Sequence, residues 1–156
     1  MRLFRKKVTL DSNVIISGVT YGSKTANKAI DRSVEDDRLM MTNVIYDECM
    51  KHAKDKKKSQ SVMKKRLDEI APNVIQIEVP TQKELKKKYR IRDDNDYKIL
   101  YSADVTNSKI LVSGDNDFHQ NNVKGPRGTK IVRTADYANG KRRRSQFPLL
   151  FRRCKR

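Results

Sequence analysis

Apolar residues along this chain gather into short β-branched runs separated by stretches of helix length. Four runs read as strands: KVTLD at 7–11, RLMMT at 38–42, VIQIEV at 74–79 and KILVS at 109–113, with a weaker fifth, KIVR, at 130–133. Between them the period changes to that of a helix. A first helix is expected over about 23–36, with Ser23 or Thr25 as its cap. Asn43 is expected to cap a second, carrying Val44, Ile45 and Cys49. Ser59 or Ser61 should start another with Val62, Leu67 and Ile70, and Thr81 should open a shorter one. The best amphipathic segment is DYKILYSADV, where Asp96, Ile99, Leu100 and Ala103 follow the i, i+3, i+4, i+7 rule of one helical face. That spacing sets an acid on top of a buried stripe.

Strands alternating with helices imply an α/β class, because parallel neighbours need crossover helices that cover both faces of the sheet. The 156 residues suit one domain, of a size that buries ~70% of the surface its unfolded form exposes. Residues 140–156, GKRRRSQFPLLFRRCKR, differ from everything before them and read as a basic tail appended to a domain over 1–139.

Charge narrows the partners. Lys and Arg number 36 against 19 Asp and Glu, a formal net charge of +17. Residues 51–66 carry eight basic residues and one acid, and 141–156 carry eight and none, so two segments hold nearly all of the excess. Such a chain seeks polyanions. Cys49 and Cys154 are too few and too far apart for a zinc site or a disulfide framework, and no apolar stretch approaches the ~20 residues of a membrane span. With no signal peptide in view, a cytoplasmic protein without membrane contact is expected.

Against this basic background the acids stand where buried segments end. Asp11 closes the first strand and Asp115 follows the fourth, in ILVSGDNDF. In an open parallel sheet that edge is where ligands bind. Glu48 lies one turn past the strand-ending Thr42, and Asp96 lies in the first turn of its helix, so all four can meet in one crevice. Carboxylates about 4 Å apart repel by roughly 1 to 4 kcal/mol per pair, and a divalent cation relieves them. Oxygen-only ligands favour a hard ion, Mg²⁺ or Mn²⁺, which can orient water and offset charge on a phosphodiester.

The pieces LDSNVIISG, TNVIYDE, DYKILYSA and ILVSGDNDF, in that order, resemble the PIN-domain ribonucleases, above all the toxin halves of bacterial and archaeal toxin–antitoxin pairs. The resemblance spans nearly all of residues 7–139. It implies a three-layer α/β/α sandwich with a mostly parallel sheet, and Mg²⁺- or Mn²⁺-dependent hydrolysis of single-stranded RNA. Asp11, Glu48, Asp96 and Asp115 match the family's acids, with Asp117 as an extra metal-binding acid. Ser12, Asn13 and Ser113 match its supporting residues. Asp93 is the fallback for the third acid, although only Asp96 keeps the D-x-x-I-L-x-x-A face. A homodimer and a small antitoxin are further implications. The Arg-rich tail has no counterpart in the family pattern.

Each feature also has a plainer reading. Asp11 alone equally suits a strand-end cap, Glu48 a solvated helix face, and Asp117 a turn bonded to its own backbone. The run 51–66 reads as a solvated helix or as an RNA track through Lys51, Lys54, Lys57 and Lys58. In the tail, Arg142, Arg143 and Arg144 suit phosphate contacts. His52 and His119 read as surface residues, and Tyr46, Tyr97 and Tyr101 as core. The main reading is a metal-dependent endoribonuclease. Its rival is a non-cleaving RNA-binding module of the same fold, and a receiver-like phosphoacceptor is disfavoured because two of the acids lie past residue 95.

Overall fold

Four of the five strand-like runs pair side by side. β1 (Lys7–Leu10) lies between β2 (Arg38–Leu39) and β3 (Ile110–Val112), and β4 (Lys130–Val132) lies beyond β3, giving the order β2-β1-β3-β4. Every pairing is parallel, with Val8 opposite both Leu39 and Ile110, and Ile110 opposite Lys130. This computed structural model describes residues 5–53, 57–89, 94–120 and 123–140, with the backbone alone at 57, 58, 94 and 95. The proposed tail, 140–156, lies outside the described residues from 141 onward.

Parallel strands require long connections. α1 (Ser12–Val19) and α2 (Lys24–Glu35) link β1 to β2, whereas α3 (Asn43–Ala53), α4 (Lys57–Ile70), α5 (Gln82–Lys88) and α6 (Asp94–Val105) link β2 to β3. These two connections cross the sheet in opposite directions, so right-handed crossovers set them on opposite faces. α7 (Asn116–His119) and a 3-10 turn at Pro126–Gly128 lead to β4, and α8 (Thr134–Asn139) packs back on α2. The result is a parallel α/β sandwich, as expected. Among the described residues, no helix is long and apolar enough to cross a membrane.

The core lies between sheet and helices. Val8, Leu10, Ile15, Ile30, Leu100, Leu111 and Phe118 are all essentially inaccessible to solvent. Burial of such a side chain stabilises the fold by about 1.5–3 kcal/mol. Met63, Leu67 and Ile70 form the buried stripe of α4, whereas Val62, expected on that stripe, is 54% exposed. The stripe follows Met63 because one residue along a helix turns the side chain by 100°. α4 also begins at Lys57, so Ser59 and Ser61 lie inside it.

Several elements depart from expectation. Residues 74–79 form no strand of the sheet; Ile75 makes one parallel bridge to Thr42. The side chain of Asn43 explains the stop. It accepts from the Ile77 N–H at 2.8 Å and donates to the Ile77 carbonyl at 3.2 Å, taking the groups a ladder would need. Asn43 is thus the first residue of α3 and clamps a neighbouring segment rather than capping its own helix. Ser23 does cap α2, through the Ala26 N–H, and Thr81 closes a capping box with Glu84 on α5.

α1 lies ahead of the first helix that the periodicity predicts. It follows β1 without a linker because Asp11 caps it, its carboxylate accepting from the Asn13 N–H. Gly18 lets α1 approach α2 closely: a Cβ there would meet Asn27 Oδ1 at 2.7 Å and Ile30 Cδ1 at 2.9 Å. The Asn27 amide uses that approach to donate to the Gly18 carbonyl.

Candidate functional site

β1 stands where the chain's path across the sheet reverses, with β2 reached on one side and β3 on the other. Ligands of open parallel sheets bind at the carboxyl end of such a switch point. Asp11 follows β1 directly, and its N–H extends the ladder by donating to the Val112 carbonyl at 2.9 Å. Ser113 continues β3 in the same way toward Val132.

The Asp11 side chain is 2% exposed and held from three directions. Ser113 Oγ donates to its Oδ2 at 2.7 Å, Ser12 Oγ to its Oδ1 at 3.3 Å, and the Asn13 backbone N–H to the same Oδ1 at 3.4 Å. Burial pushes its carboxyl up to about 6 from the ordinary 3.8; the Ser113 and Asn13 bonds oppose the rise, and the charge of Glu48 adds to it. Glu48, half-buried on α3, is therefore within electrostatic reach of Asp11. Cys49 is fully buried; burial raises its thiol pKa, and both Glu48 and Asp11 reinforce the rise.

A second group of acids meets beside this one. Asp96, Asp115 and Asp117 each offer a carboxylate oxygen within 4.8 Å of the others. Asp96, 5% exposed, comes from the first turn of α6, whose stripe of Ile99, Leu100 and Ala103 is buried as its spacing predicts. Asp115 caps α7, and its Oδ1 accepts from the Asp117 N–H at 2.9 Å, so one helical turn presents both acids. Ser113 joins the two groups: its Oγ donates to Asp11 while accepting from the Asp115 N–H at 3.1 Å.

Three clustered carboxylates suit a hard divalent cation, which requires oxygen ligands and neutralises their repulsion. Among the described residues, no Lys or Arg pairs with Asp115 or Asp117 to do so instead.

The remaining sequence candidates divide. Ser12 and Ser113 support Asp11 through their hydroxyls, whereas Asn13 does so through its backbone, with its side chain exposed. Lys51 is exposed on α3, the helix of Glu48. Lys57 and Lys58 lie in α4 with only their backbone described, and Asp93, Lys54, Arg142, Arg143 and Arg144 lie outside the described residues. Tyr97 is buried and Tyr46 and Tyr101 pack against the core, as expected of core residues. His119 is no bare surface residue: its Nε2 lies 2.8 Å from the Ser113 carbonyl. Also unforeseen is the Thr42–Ser102 hydroxyl pair at 2.9 Å, which ties the start of α3 to α6 and so fixes the helix of Glu48 against that of Asp96. Neither contact has a local sequence signal.

Fold and site together define a parallel α/β protein with a cluster of acids at its switch point. The chain belongs to the PIN domain family, whose model matches residues 8–124. No curated protein matches it. Among solved structures it is similar to VapBC2 from Rickettsia felis bound to a DNA fragment from their promoter, at 14% identity and TM-score 0.56, covering 81% of this chain and 98% of that chain. It is also similar to VapBC-1 from nontypeable Haemophilus influenzae, at 21% identity and TM-score 0.53, covering 82% of this chain and 98% of that one. At these identities the likeness is one of fold.

Proposed function

We propose that this PIN domain is a divalent-metal-dependent endoribonuclease, the toxin of a toxin–antitoxin pair, acting on single-stranded RNA in the cytoplasm. The observation that carries this reading is the approach of Asp96, Asp115 and Asp117 to within 4.8 Å of one another, with Asp11 tethered to them through Ser113. Asp96, Asp115 and Asp117 would hold Mg²⁺ or Mn²⁺, with Asp11 and Glu48 completing the acidic wall. The bound ion supplies a site for activating water and for offsetting charge on the leaving oxygen of a phosphodiester.

The chain's own residues do the rest. Ser113, Ser12 and the Asn13 N–H hold the Asp11 carboxylate against α1, so it keeps one orientation as charge develops nearby. Asp115 draws Asp117 in through the backbone of α7. The net charge of +17 supports a polyanionic substrate, which the basic excess of the chain would attract. Membership of the PIN family and likeness to the two VapBC structures support an antitoxin partner, and the resemblance to the toxin halves implies a homodimer as well.

The test is a Mn²⁺ and Mg²⁺ titration with labelled RNA, comparing the wild type with Asp96→Asn and Asp115→Asn. Cleavage that needs the ion and both acids supports the reading. Binding of RNA without cleavage under any divalent ion would leave a non-cleaving RNA-binding module instead.

A further inference from the structure

A groove beside the outermost strand stands apart from the acids. It is an open depression of about 720 Å³ that runs from Phe118 and His119 on α7, past Val123 and Lys124, to Lys130 and Ile131 on β4. That volume falls in the range of ligand-binding clefts. Among the described residues no carboxylate lines it, whereas Lys124 and Lys130 do, both exposed. Between them, half-buried Val123 and Ile131 supply an apolar wall. Ammonium groups along an apolar surface match a nucleic-acid strand, which presents phosphates and base faces in alternation.

One end of the groove adjoins the segment that carries two of the acids. His119 lies two residues beyond Asp117, and its Nε2 meets the carbonyl of Ser113, whose hydroxyl holds Asp11. A carbonyl oxygen only accepts, so Nε2 donates in this contact, which ties the ring to the end of β3.

We infer that this groove is the track for the single RNA strand on one side of the acidic site, with Lys124 and Lys130 neutralising backbone phosphates and His119 at the end nearest the acids. The inference rests on the ribonuclease reading for its substrate. An acidic protein segment is the competing occupant. RNA is favoured because the groove shares α7, through Phe118 and His119, with Asp117, beside the acids where a phosphodiester would be cut.

The test is equilibrium binding of a labelled single-stranded oligoribonucleotide to the full chain without divalent ion, so that nothing is cut. Wild type is compared with Lys124→Glu/Lys130→Glu and with Lys83→Glu/Lys87→Glu, which reverses the same charge on α5, outside the groove. The groove variant should weaken binding by about 10-fold or more and lower the log–log salt slope by about 1.4, at about 0.7 per phosphate contact, with the α5 variant changing affinity by less than about 3-fold. Equal losses in both variants would reveal general attraction and overturn the track, as would no loss in the groove variant. A polyglutamate peptide that binds more tightly than RNA, with the same lysine dependence, would assign the groove to an acidic protein and also overturn it. Cleavage is read separately. A chain that shows the binding pattern but cuts no RNA with Mn²⁺ keeps the track and loses the nuclease reading, and a chain that cuts without the pattern does the reverse.

Discussion

The hydroxyl of Ser113 donates to the buried carboxylate of Asp11 across 2.7 Å, joining the ends of two neighbouring strands that lie a hundred residues apart in the chain. The same oxygen accepts the Asp115 N–H. One small side chain therefore sets the spacing between the acid of β1 and the acids of α7.

Removal of that hydroxyl should loosen both. Ser113→Ala is expected to lower metal-dependent RNA cleavage by about 10- to 100-fold, the usual effect of losing a residue that orients a metal-site carboxylate. The fold should survive, since Ala fits the same space. Cleavage kinetics with Mn²⁺, alongside a thermal unfolding scan, check this. Wild-type rates in a folded variant would remove Ser113 from the site.

Asp96→Asn and Asp115→Asn should each abolish measurable turnover, on the order of 10³-fold or more, because loss of several kcal/mol of charge stabilisation has that effect on rate. Mn²⁺ uptake by calorimetry should fall with them. Asp117→Asn should weaken uptake as well, since the structure places its carboxylate in the same cluster. Unchanged Mn²⁺ affinity in all three would dismantle the cluster as a cation site.

Asp11 makes metal-free stability depend on pH in an unusual direction. Burial raises its carboxyl from 3.8 to about 6, so the folded chain favours the protonated form. The stability this group provides is complete below about pH 4 and is lost as pH rises through about 6, amounting to about 3 kcal/mol by pH 7. Asp11→Asn, which cannot ionise, should be more stable than the wild type at pH 7 by up to that amount, and equal to it near pH 4. Urea unfolding in the presence of a chelator reads the difference. Identical curves at both pH values would contradict it.

A second buried acid has a structural role. Asp104, 3% exposed at the end of α6, accepts from the Tyr89 hydroxyl at 2.7 Å and pairs with Lys88 at 2.8 Å and Arg127 at 3.0 Å. Burial opposes its ionisation, but Lys88, Tyr89 and Arg127 outweigh burial and hold its pKa below 3.8. Its contribution is thus present above that value and fades as pH falls below it. Asp104→Ala should cost about 2 kcal/mol by urea unfolding, a modest figure because Lys88 and Arg127 remain well solvated. Mn²⁺ affinity should not change. A shifted Mn²⁺ affinity would tie this cluster to the site.

Much of the sheet was legible because its runs are short, β-branched and spaced by helix lengths. Asp96 was legible for a different reason: its helix has a sharp apolar face, and the acid heads that face. α1 was hidden because VIISGV is β-branched and follows β1 without a break, so its period cannot be separated from strand. Only the cap at Asp11 hints at the turn. The failure of 74–79 to join the sheet depends on Asn43, a residue thirty positions earlier, and no local pattern reports that clamp. The turn-shaping role of Asp117 is visible in sequence, whereas its approach to Asp96 depends on how α6 and α7 meet. His119 gave no signal, since its partner is a backbone carbonyl.

Asp115 and Asp117 both ride on α7, a single winding closed by Phe118 N–H to the Asp115 carbonyl and Gln120 N–H to the Asn116 carbonyl. So short a coil frays at little cost, and when it opens the two oxygens part company. Anything that bridges them is thereby linked to the winding itself, gripping tightly only while the coil is intact and keeping it intact in return. Amide exchange at Phe118 and Gln120 would register that mutual dependence as slowing on addition of Mn²⁺, even where the rest of the protein stays unchanged.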